Sequence, residues 1–144
     1  MLINNIKAAL VKSFNKANKL KPYLQLSEVV WVNVEIWLQG DCNSRATVVA
    51  LDSNNDYEGR REIYFNRRDI GKDLIGQVIP GKRSDYTGLK SVIKALHDKC
   101  GIPLDVADFL DLPLPVSGPV TIQPTTICMA YLPTSSVTLN FAET

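Results

Sequence analysis

His97 is the single histidine of the 144-residue chain, so any chemistry that needs an imidazole must use it. A nucleophilic triad or a histidine-based metal site requires a nucleophile or further ligands beside that ring. The nearest candidates, Asp98 and Cys100, follow on the same predicted helix and do not all share a face with it. We therefore interpret His97 as a structural or surface residue. The sequence also lacks a phosphate-binding glycine loop, a nucleophile elbow and a dinucleotide fingerprint, so it predicts a protein that is not an enzyme and has no cofactor.

Carboxylates and amides cluster in the segment DSNNDYEG, where Asp52, Asp56 and Glu58 accompany two asparagines. Oxygen ligands suit calcium, but a calcium-binding loop needs a glycine at its central turn and a glutamate at its twelfth position. Neither occurs here at the required spacing. The sequence therefore predicts no metal site, although it leaves a bound cation at this loop open.

The cysteines Cys42, Cys100 and Cys128 form an odd set without close pairing or the spacing of a metal site. Such cysteines are typical of reduced thiols in a protein made in the cytoplasm. The first residues, MLINNIKAALVKSF, lack the uninterrupted apolar core and the cleavage site of a signal peptide. The longest apolar-rich segment, 29–38, is too short to span a bilayer, so we expect no membrane association.

Four arginines lie within the nine residues from 60 to 68. Arg60 and Arg61 fall at a predicted turn, whereas Arg67 and Arg68 follow a predicted strand. Both pairs stand beside acidic residues, which is typical of a solvated charged surface. The functional alternatives are contact with a partner protein and contact with phosphate, and we regard the partner protein as the stronger of the two.

A second basic feature runs along the first predicted helix, where lysines occupy positions 7, 12, 16, 19 and 21. A basic stripe is the electrostatic footprint of phosphate binding, so Lys12, Lys16 and Lys19 are candidate nucleic-acid contacts. However, Tyr23 is the one aromatic neighbour of the stripe, and the net charge of the chain is only +1. Nucleic-acid binding is therefore the alternative, and a solvated helix face is the simpler interpretation.

Charge is distributed unevenly along the chain. All 16 Lys and Arg residues precede residue 101, whereas the last 44 residues carry four acids and no base. A protomer with a basic beginning and an acidic end can associate head to tail, which generates rings or helical stacks. Complementary charge fixes the register of an interface more than it adds affinity. We therefore expect copies of the chain to bind one another.

The elements that position these residues are predicted twice, in the same order. The first copy has a helix at 4–19, a half-buried strand at 29–38 and a hairpin of strands at 46–51 and 61–66. Helical spacing predicts an apolar face of Ile6, Ala9, Leu10, Phe14 and Ala17, and alternation in the strands predicts that Glu35, Glu62 and Tyr64 point to solvent.

A shift of 83 residues relates the first helix to a second one at 87–101, closed by Gly101, with a predicted apolar face of Leu89, Val92, Ile93, Leu96 and Cys100. A shift of 80 relates the segments that follow, and the last predicted strand, VTLN, matches IYFN of the first hairpin. We predict an α+β fold of two tandem modules, each with one helix packed on a short antiparallel β-sheet. The first module covers residues 1–74, the linker residues 75–86, and the second module residues 87–144.

Two features favour contact with neighbouring chains. Trp31 and Trp37 alternate with the apolar even-numbered positions from 30 to 38, so both are predicted to point outward unless the second module covers them. Exposed tryptophans are enriched at protein interfaces. Pro113 and Pro115 belong to a proline-rich run that cannot complete a sheet ladder, which predicts an edge strand or an extended arm. The candidate interface residues are Trp31, Trp37, Arg60, Arg61, Arg67, Arg68, Pro113 and Pro115.

The segment ATVVALDSNNDYEGRREIYFNRRDI, with the preceding MLINNIKAALVKSFNKAN and LSEV, resembles virion structural proteins of tailed bacteriophages, particularly of large contractile-tailed phages. In that family a helix leads to a hairpin of the form T-V-T-A…Y-x-G…V-x-Y-N-R, and the module often occurs twice. The second copy here departs from the pattern, because LPTSSV replaces Y-x-G. The matching positions of the first copy are Thr47, Val49, Ala50, Tyr57, Gly59, Ile63, Phe65, Asn66 and Arg67.

The resemblance implies a non-enzymatic structural subunit of the virion, in the tail, baseplate or neck, made in the host bacterial cytoplasm. Its partners would be other phage structural proteins and copies of itself, with no small-molecule substrate. The alternative is a capsid-associated or nucleic-acid-binding phage protein that uses Lys12, Lys16 and Lys19. A small enzyme or host-takeover factor is a further rival, whose mark would be a concave pocket that contains His97 or a carboxylate cluster.

Overall fold

The computed structural model describes residues 2–51 and 57–144, and for residues 2–5 it describes the backbone alone. In this part of the chain the fold is α+β, as predicted, with three α-helices and two small antiparallel sheets. The chain divides into two compact units, residues 3–67 and residues 68–144. The division falls between Arg67 and Arg68, so the segment predicted as a linker, 75–86, lies within the second unit.

The first unit contains one helix and a three-stranded meander. Consecutive strands pair antiparallel, so the second strand is central and the two others are edges. The predicted helix, strand and hairpin are confirmed. The elements are α1 (Leu2–Asn18), a 3-10 turn (Leu26–Glu28), β1 (Val29–Ile36), β2 (Ser44–Ala50) and β3 (Arg60–Phe65).

A β-bulge interrupts β1 at Asn33, whose φ of 53° lies in the left-handed region. Val32 lies opposite Thr47 of β2, but Glu35 already lies opposite Arg45, so β1 contains one residue more than its partner between these pairs. An extra residue in one strand exchanges the side chains that point to the two faces of the sheet. Asparagine suits this position because it tolerates the left-handed conformation better than most residues.

The bulge makes the predicted facing of β1 wrong for its first half. Val30 was expected to face the core and is 43% exposed, whereas Trp31 was expected to point outward and packs against the core. Beyond the bulge the prediction holds as far as the end of β1, because Glu35 is exposed and Ile36 is half-buried. It is wrong for Leu38, which follows the strand and is 90% exposed. One residue in the left-handed conformation therefore places the two tryptophans on opposite faces of the sheet.

The core of the first unit lies between α1 and the sheet. Its buried residues are Val11, Leu24, Val29 and Val48, and Trp31 is among the partly buried residues that pack against them. The buried face of α1 is centred on Val11 and Asn15, whereas two residues predicted to face inward, Ala9 and Ala17, are exposed.

Asn15 is buried because its carboxamide makes the two hydrogen bonds that a paired backbone segment would make. Its Nδ2 donates to the Leu24 carbonyl and its Oδ1 accepts from the Leu24 amide, each at 2.9 Å. Buried polar groups are tolerated when they are fully hydrogen-bonded. The pair fastens the segment between α1 and β1 onto the helix.

The second unit contains two helices and a two-stranded sheet. Val120 lies opposite Leu139 and Ile122 opposite Val137 in the antiparallel β4–β5 pair. The second predicted helix and the last predicted strand are confirmed, but residues 126–130, which the repeat aligns with β2, do not form a strand. The elements are α2 (Ile70–Asp73), a 3-10 turn (Arg83–Asp85), α3 (Leu89–Cys100), a 3-10 turn (Val106–Asp108), β4 (Val120–Ile122) and β5 (Val137–Leu139).

Helix α3 follows its sequence pattern closely. Leu89, Val92, Ile93 and Leu96 are buried, as predicted. Gly101 ends the helix with a φ of 71°, and its amide donates to the His97 carbonyl at 3.2 Å. A left-handed residue after the last helical turn favours glycine, which explains the helix end. Cys100, predicted on the apolar face, is exposed.

Candidate protein-interaction surface

The face of the first-unit sheet that points away from α1 carries a cross-strand row of charged and aromatic side chains. Glu35 lies opposite Arg45, which lies opposite Tyr64, so the row crosses all three strands. Trp37 and Glu62 adjoin it through their contacts with Arg45. We call this set the outer sheet face: Glu35, Trp37, Arg45, Glu62 and Tyr64.

Arg45 is the centre of the outer sheet face. Its Nε donates to Glu35 Oε1 at 2.7 Å, and its Nη1 lies 3.5 Å from Glu62 Oε1. Its guanidinium carbon lies 4.0 Å from the centroid of the Trp37 ring, a cation–π geometry. Hydrogen bonding to Glu35 is the main cause that raises the pKa of Arg45 above its ordinary value. Arg45 therefore joins both carboxylates to the indole in one arrangement.

The two rings of the outer sheet face contact each other. The Trp37 and Tyr64 centroids lie 5.5 Å apart with an interplanar angle of 54°, and the Tyr64 hydroxyl donates to Glu62 Oε2 at 2.8 Å. Tyr64 is nevertheless 46% exposed. Aromatic and arginine side chains that are already held in place lose little conformational freedom on binding, and they are the residues enriched at binding hot spots. The arrangement suits contact with another protein surface.

Trp31 does not belong to the outer sheet face. It packs against the core of the first unit, and the Lys7 ammonium lies 5.9 Å from the centroid of its ring. Its buried Nε1 has no hydrogen-bond acceptor in the part of the chain that the structure describes. Only Trp37 of the two tryptophans is thus placed as the interface hypothesis requires.

The four arginines of the sequence cluster separate into three environments. Arg60 and Arg61 are exposed and border an open depression that also includes Glu35, Arg45 and Glu62. Arg67 is 3% exposed, and its Nε donates to Ser44 Oγ at 2.7 Å, so its predicted role as a surface contact is wrong. The first pair adjoins the outer sheet face, and Arg67 supports the hairpin from inside.

Arg68 is exposed and engaged within the second unit. Its Nε lies 2.7 Å from Asp73 Oδ2, and hydrogen bonding to Asp73 raises the pKa of Arg68 above its ordinary value. Its amide donates to the Ala130 carbonyl at 2.8 Å, and Arg68 forms a parallel bridge with Tyr131. It therefore anchors the beginning of the second unit.

The proline-rich run does not form the predicted edge strand: residues 110–119 are neither helix nor strand, and the second unit holds them. The Arg83 guanidinium donates to the carbonyls of Pro115 and Gly118, the latter at 2.6 Å. The Leu112 carbonyl accepts from the amide of Leu89 at the start of α3 at 2.9 Å. Pro113 and Pro115 are exposed, so this segment is a fixed apolar surface of the second unit.

The acidic end of the chain is less available than its composition suggests. Asp105 and Asp108 are 4% and 2% exposed, and Asp105 accepts from the Ala107 amide at 3.0 Å. The Asp111 carboxylate accepts from the Lys90 amide at 3.1 Å, at the start of α3. Three of the four acids are thus buried or hydrogen-bonded within the second unit, and the two buried ones, Asp105 and Asp108, are not available for surface ion pairs with a neighbouring chain.

Lys12 and Lys16 lie on α1, and Lys19 directly follows the end of the helix. Lys12, Lys16 and Lys19 are exposed, and none has an ion-pair partner among the described residues. Together with Lys21 they line a groove between α1 and the segment 19–26, whose other lining residues include Val11, Asn15, Leu20, Tyr23, Leu24 and Leu26.

The residues singled out for catalysis are not brought together. His97 is exposed, and its Nδ1 lies 2.9 Å from the Ile102 carbonyl oxygen at the end of α3. No disulfide joins the three cysteines, and Cys128 is buried, which raises the pKa of its thiol to about 11. Residues 52–56 of the oxygen-rich loop lie outside the described residues. Within the ranges that are described, no three His, Cys, Asp or Glu side chains form a metal-binding group.

Sequence reasoning missed Arg45. It placed Glu35, Glu62 and Tyr64 on a solvated face but did not identify the residue that joins them. An arginine within an otherwise apolar and β-branched strand, SRATVVA, was the available signal. Charged residues in a central strand must point to a solvated face or meet opposite charges across the ladder, and Arg45 does both.

Comparisons with known proteins place the chain in a family. No helix in the described ranges is both long and apolar enough to traverse a bilayer. Neither the curated proteins nor the solved structures include a match to the chain. A family model matches residues 1–143, almost the whole sequence. The chain therefore belongs to DUF7941, a family of unknown function.

Proposed function

We propose that the protein is a non-enzymatic structural subunit of a bacteriophage virion, in the tail, baseplate or neck, and that it assembles through repeated contacts with copies of itself and with other phage structural proteins. The observation that carries the proposal is the outer sheet face, a set of two aromatic rings, one arginine and two carboxylates that contact one another, in which Glu35, Glu62 and Tyr64 are exposed and Trp37 and Arg45 are half-buried.

The outer sheet face is suited to repeated protein contacts because it combines apolar rings with charges of both signs. Trp37 and Tyr64 supply the apolar area, while Arg45 and the exposed pair Arg60 and Arg61 supply hydrogen-bond donors. The strand β3 beside it is an edge of its sheet, and an edge can pair with a neighbouring chain. Contact through this face replaces the head-to-tail charge attraction that the buried Asp105 and Asp108 weaken.

The resemblance to phage structural proteins gives the proposal its biological setting. Its hairpin pattern corresponds here to residues with defined structural roles. The Tyr57 hydroxyl donates to the Pro22 carbonyl at 2.5 Å, and Asn66 Oδ1 accepts from the Asn43 amide at 2.9 Å. Phe65 and Arg67 are buried. The pattern therefore describes how this hairpin is held, which favours a shared module over a chance match of surface residues.

We further propose that the two units arose by duplication of one module. The 3-10 turns 26–28 and 106–108 stand 80 residues apart, the shift at which the sequence halves align. Leu24 and Leu104, which precede them, are both buried, as are Val29 and Phe109, which follow them. In each unit a helix comes before the turn and an antiparallel strand pair comes after it.

The virion role is tested by quantitative mass spectrometry of purified particles from a phage that encodes this sequence. We expect the protein at a fixed, multiple copy number per particle. Sedimentation velocity of the purified protein over a concentration series should in parallel show self-association. A protein that is absent from particles and stays monomeric at high concentration contradicts the proposal.

A second candidate function is nucleic-acid contact through α1, because Lys12, Lys16 and Lys19 are exposed and without ion pairs in the described part of the chain. Phosphate contacts of this kind give salt-dependent binding. Salt-dependent retention on DNA that is lost when these three lysines become glutamate would favour this function over the first.

A further inference from the structure

The groove beside α1 has a composition that neither the virion role nor a phosphate site explains. One wall is the lysine stripe of the helix, and the floor contains Val11, Leu20, Leu24 and Leu26. Val11 and Leu24 are buried core residues, whereas Tyr23 at the edge is 63% exposed. A basic wall above an apolar floor is suited to a ligand that is acidic along one side and aliphatic along the other.

The groove is built rigidly. The Asn15 carboxamide makes two hydrogen bonds of 2.9 Å to the Leu24 backbone, and these hold the far wall against the helix. The Tyr57 hydroxyl fixes the Pro22 carbonyl in the same wall. Glu28, the acid that follows this segment in the sequence, accepts from the Gln25 amide at 2.8 Å and so caps its own turn. The shape therefore exists before any ligand binds, which lowers the entropy lost on binding.

The spacing of the lysines indicates the conformation of the ligand. Lys12 and Lys16 are four residues apart on one helix face, or about 6 Å along the axis. Alternate residues of an extended chain are about 6.6 Å apart and point the same way, while the residues between them point the opposite way. An extended segment with acids at alternate positions can therefore face the lysines with its acids and the floor with its intervening side chains.

We propose that this groove binds an extended, acidic segment of a partner protein in which acidic and aliphatic residues alternate. The apolar floor favours a polypeptide over nucleic acid, because a phosphate backbone has no aliphatic groups to bury. Among the described residues that line the groove, Tyr23 alone has an aromatic ring that could stack on a base. The proposal goes beyond the virion role, since it depends on the groove alone.

The test uses the full chain and fluorescein-labelled octapeptides, with binding measured by fluorescence anisotropy. The first probe is Gly-Glu-Leu-Glu-Leu-Glu-Leu-Gly, and the second replaces each leucine by serine at the same charge. We expect the first probe to bind, to weaken as salt is raised, and to bind at least about tenfold more tightly than the serine probe because the aliphatic side chains bury apolar area. Equal binding of the two probes, or no binding of either, overturns the proposal.

Charge-reversal variants locate the binding. Lys12→Glu with Lys16→Glu should weaken binding of the leucine probe by at least about tenfold, because two attractions become repulsions. Lys82→Glu with Lys99→Glu changes the net charge equally at two exposed sites outside the groove and should leave binding within about twofold. Circular dichroism confirms that α1 is retained in both. Equal loss in the two pairs would overturn the assignment to the groove.

Oligonucleotides separate this inference from the nucleic-acid alternative. Single-stranded and double-stranded DNA of equal charge should bind more weakly than the leucine probe and should not displace it at equal concentration. DNA that binds more tightly than the leucine probe and displaces it would overturn the proposal in favour of a phosphate site.

Discussion

The side chain of Asn15 and the backbone of Leu24 form a reciprocal pair, in which the Asn15 amide donates to the Leu24 carbonyl and accepts from the Leu24 N–H, each at 2.9 Å. Both residues are buried, with exposures of 7%. The segment 19–23, which is not helical or a strand, thus returns to α1 through one asparagine. A polar residue on a helix is usually solvated, but Asn15 instead holds the following segment against α1.

Asn15→Ala is expected to lower the free energy of unfolding by about 2–3 kcal/mol, because two buried backbone groups of Leu24 lose their partners. Urea titration followed by circular dichroism measures the change. Ser13→Ala, an exposed substitution on the same helix, serves as the control and should change stability by less than about 0.5 kcal/mol. Equal stabilities of the two variants would show that the pair contributes nothing.

The bulge at Asn33 gives a second prediction. Because φ is 53° there, Asn33→Gly should be close to neutral, whereas Asn33→Val should destabilise by about 1–3 kcal/mol, since a β-branched residue is strained in the left-handed region. The two variants at one position control for each other, and thermal or urea unfolding distinguishes them. A valine variant as stable as the glycine variant would mean that β1 runs without the bulge, with Trp31 on the outer side.

Gly71 reports on the packing of the second unit. A Cβ at this position would lie 2.7 Å from the Ser136 carbonyl oxygen, a backbone atom that cannot move aside cheaply. Gly71→Ala should therefore destabilise by about 1–3 kcal/mol, although alanine is the better helix former. Lys72→Ala, exposed on the same helix, is the matched control and is expected to be neutral. A stabilising Gly71→Ala would contradict the close approach of these two segments.

Cys128 makes the stability of the second unit depend on alkaline pH. Burial raises the pKa of its thiol from 9.0 to about 11 in the folded protein. Below pH 9 both states keep the proton and the group has no effect. Between pH 9 and about 11 only the unfolded state loses it, so the free energy of unfolding falls as pH rises. Burial likewise raises the pKa of Tyr131 to about 12, so the free energy of unfolding continues to fall at still higher pH.

This pH dependence is measured by urea titrations from pH 8 to 11. Cys128→Ala is expected to be less stable at every pH but to show a shallower fall above pH 9, because the titrating thiol is gone. Cys100→Ala removes an exposed thiol and should keep the wild-type slope. An unchanged slope in Cys128→Ala would contradict the raised pKa.

Periodicity predicted the elements well, because α3, β2 and β3 bury side chains at the spacing of their secondary structure. Periodicity did not predict the facing of residues where a polar side chain pairs with the backbone, or where one residue adopts the left-handed conformation and adds a bulge. Asn15 faces inward because its amide pairs with Leu24, and Trp31 faces inward because Asn33 adds a residue to β1. Both effects depend on contacts between one element and another segment of the chain, which the apolar periodicity of a single element does not contain.

The same reasoning applies to the candidate site. Composition predicted an acidic end that attracts a basic beginning, but Asp105 caps a turn and Asp108 is buried. The formal charge of a segment does not show which of its carboxylates are buried or hydrogen-bonded within the fold. The outer sheet face could be partly anticipated from alternation in β3, but Arg45 became its centre only through the register that sets it between Glu35 and Tyr64.

The outer sheet face gives the last prediction. Trp37→Ala with Tyr64→Ala should reduce self-association by at least about tenfold in sedimentation velocity, because the pair supplies the aromatic area of the proposed contact. Ile127→Ala, which removes a 62% exposed apolar side chain in the second unit, is the matched control and should associate like wild type. Both aromatic residues lie outside the buried core, so the double variant should stay folded. If it assembles as well as wild type, the contacts lie elsewhere, and the fixed apolar surface around Pro113 and Pro115 becomes the next surface to vary.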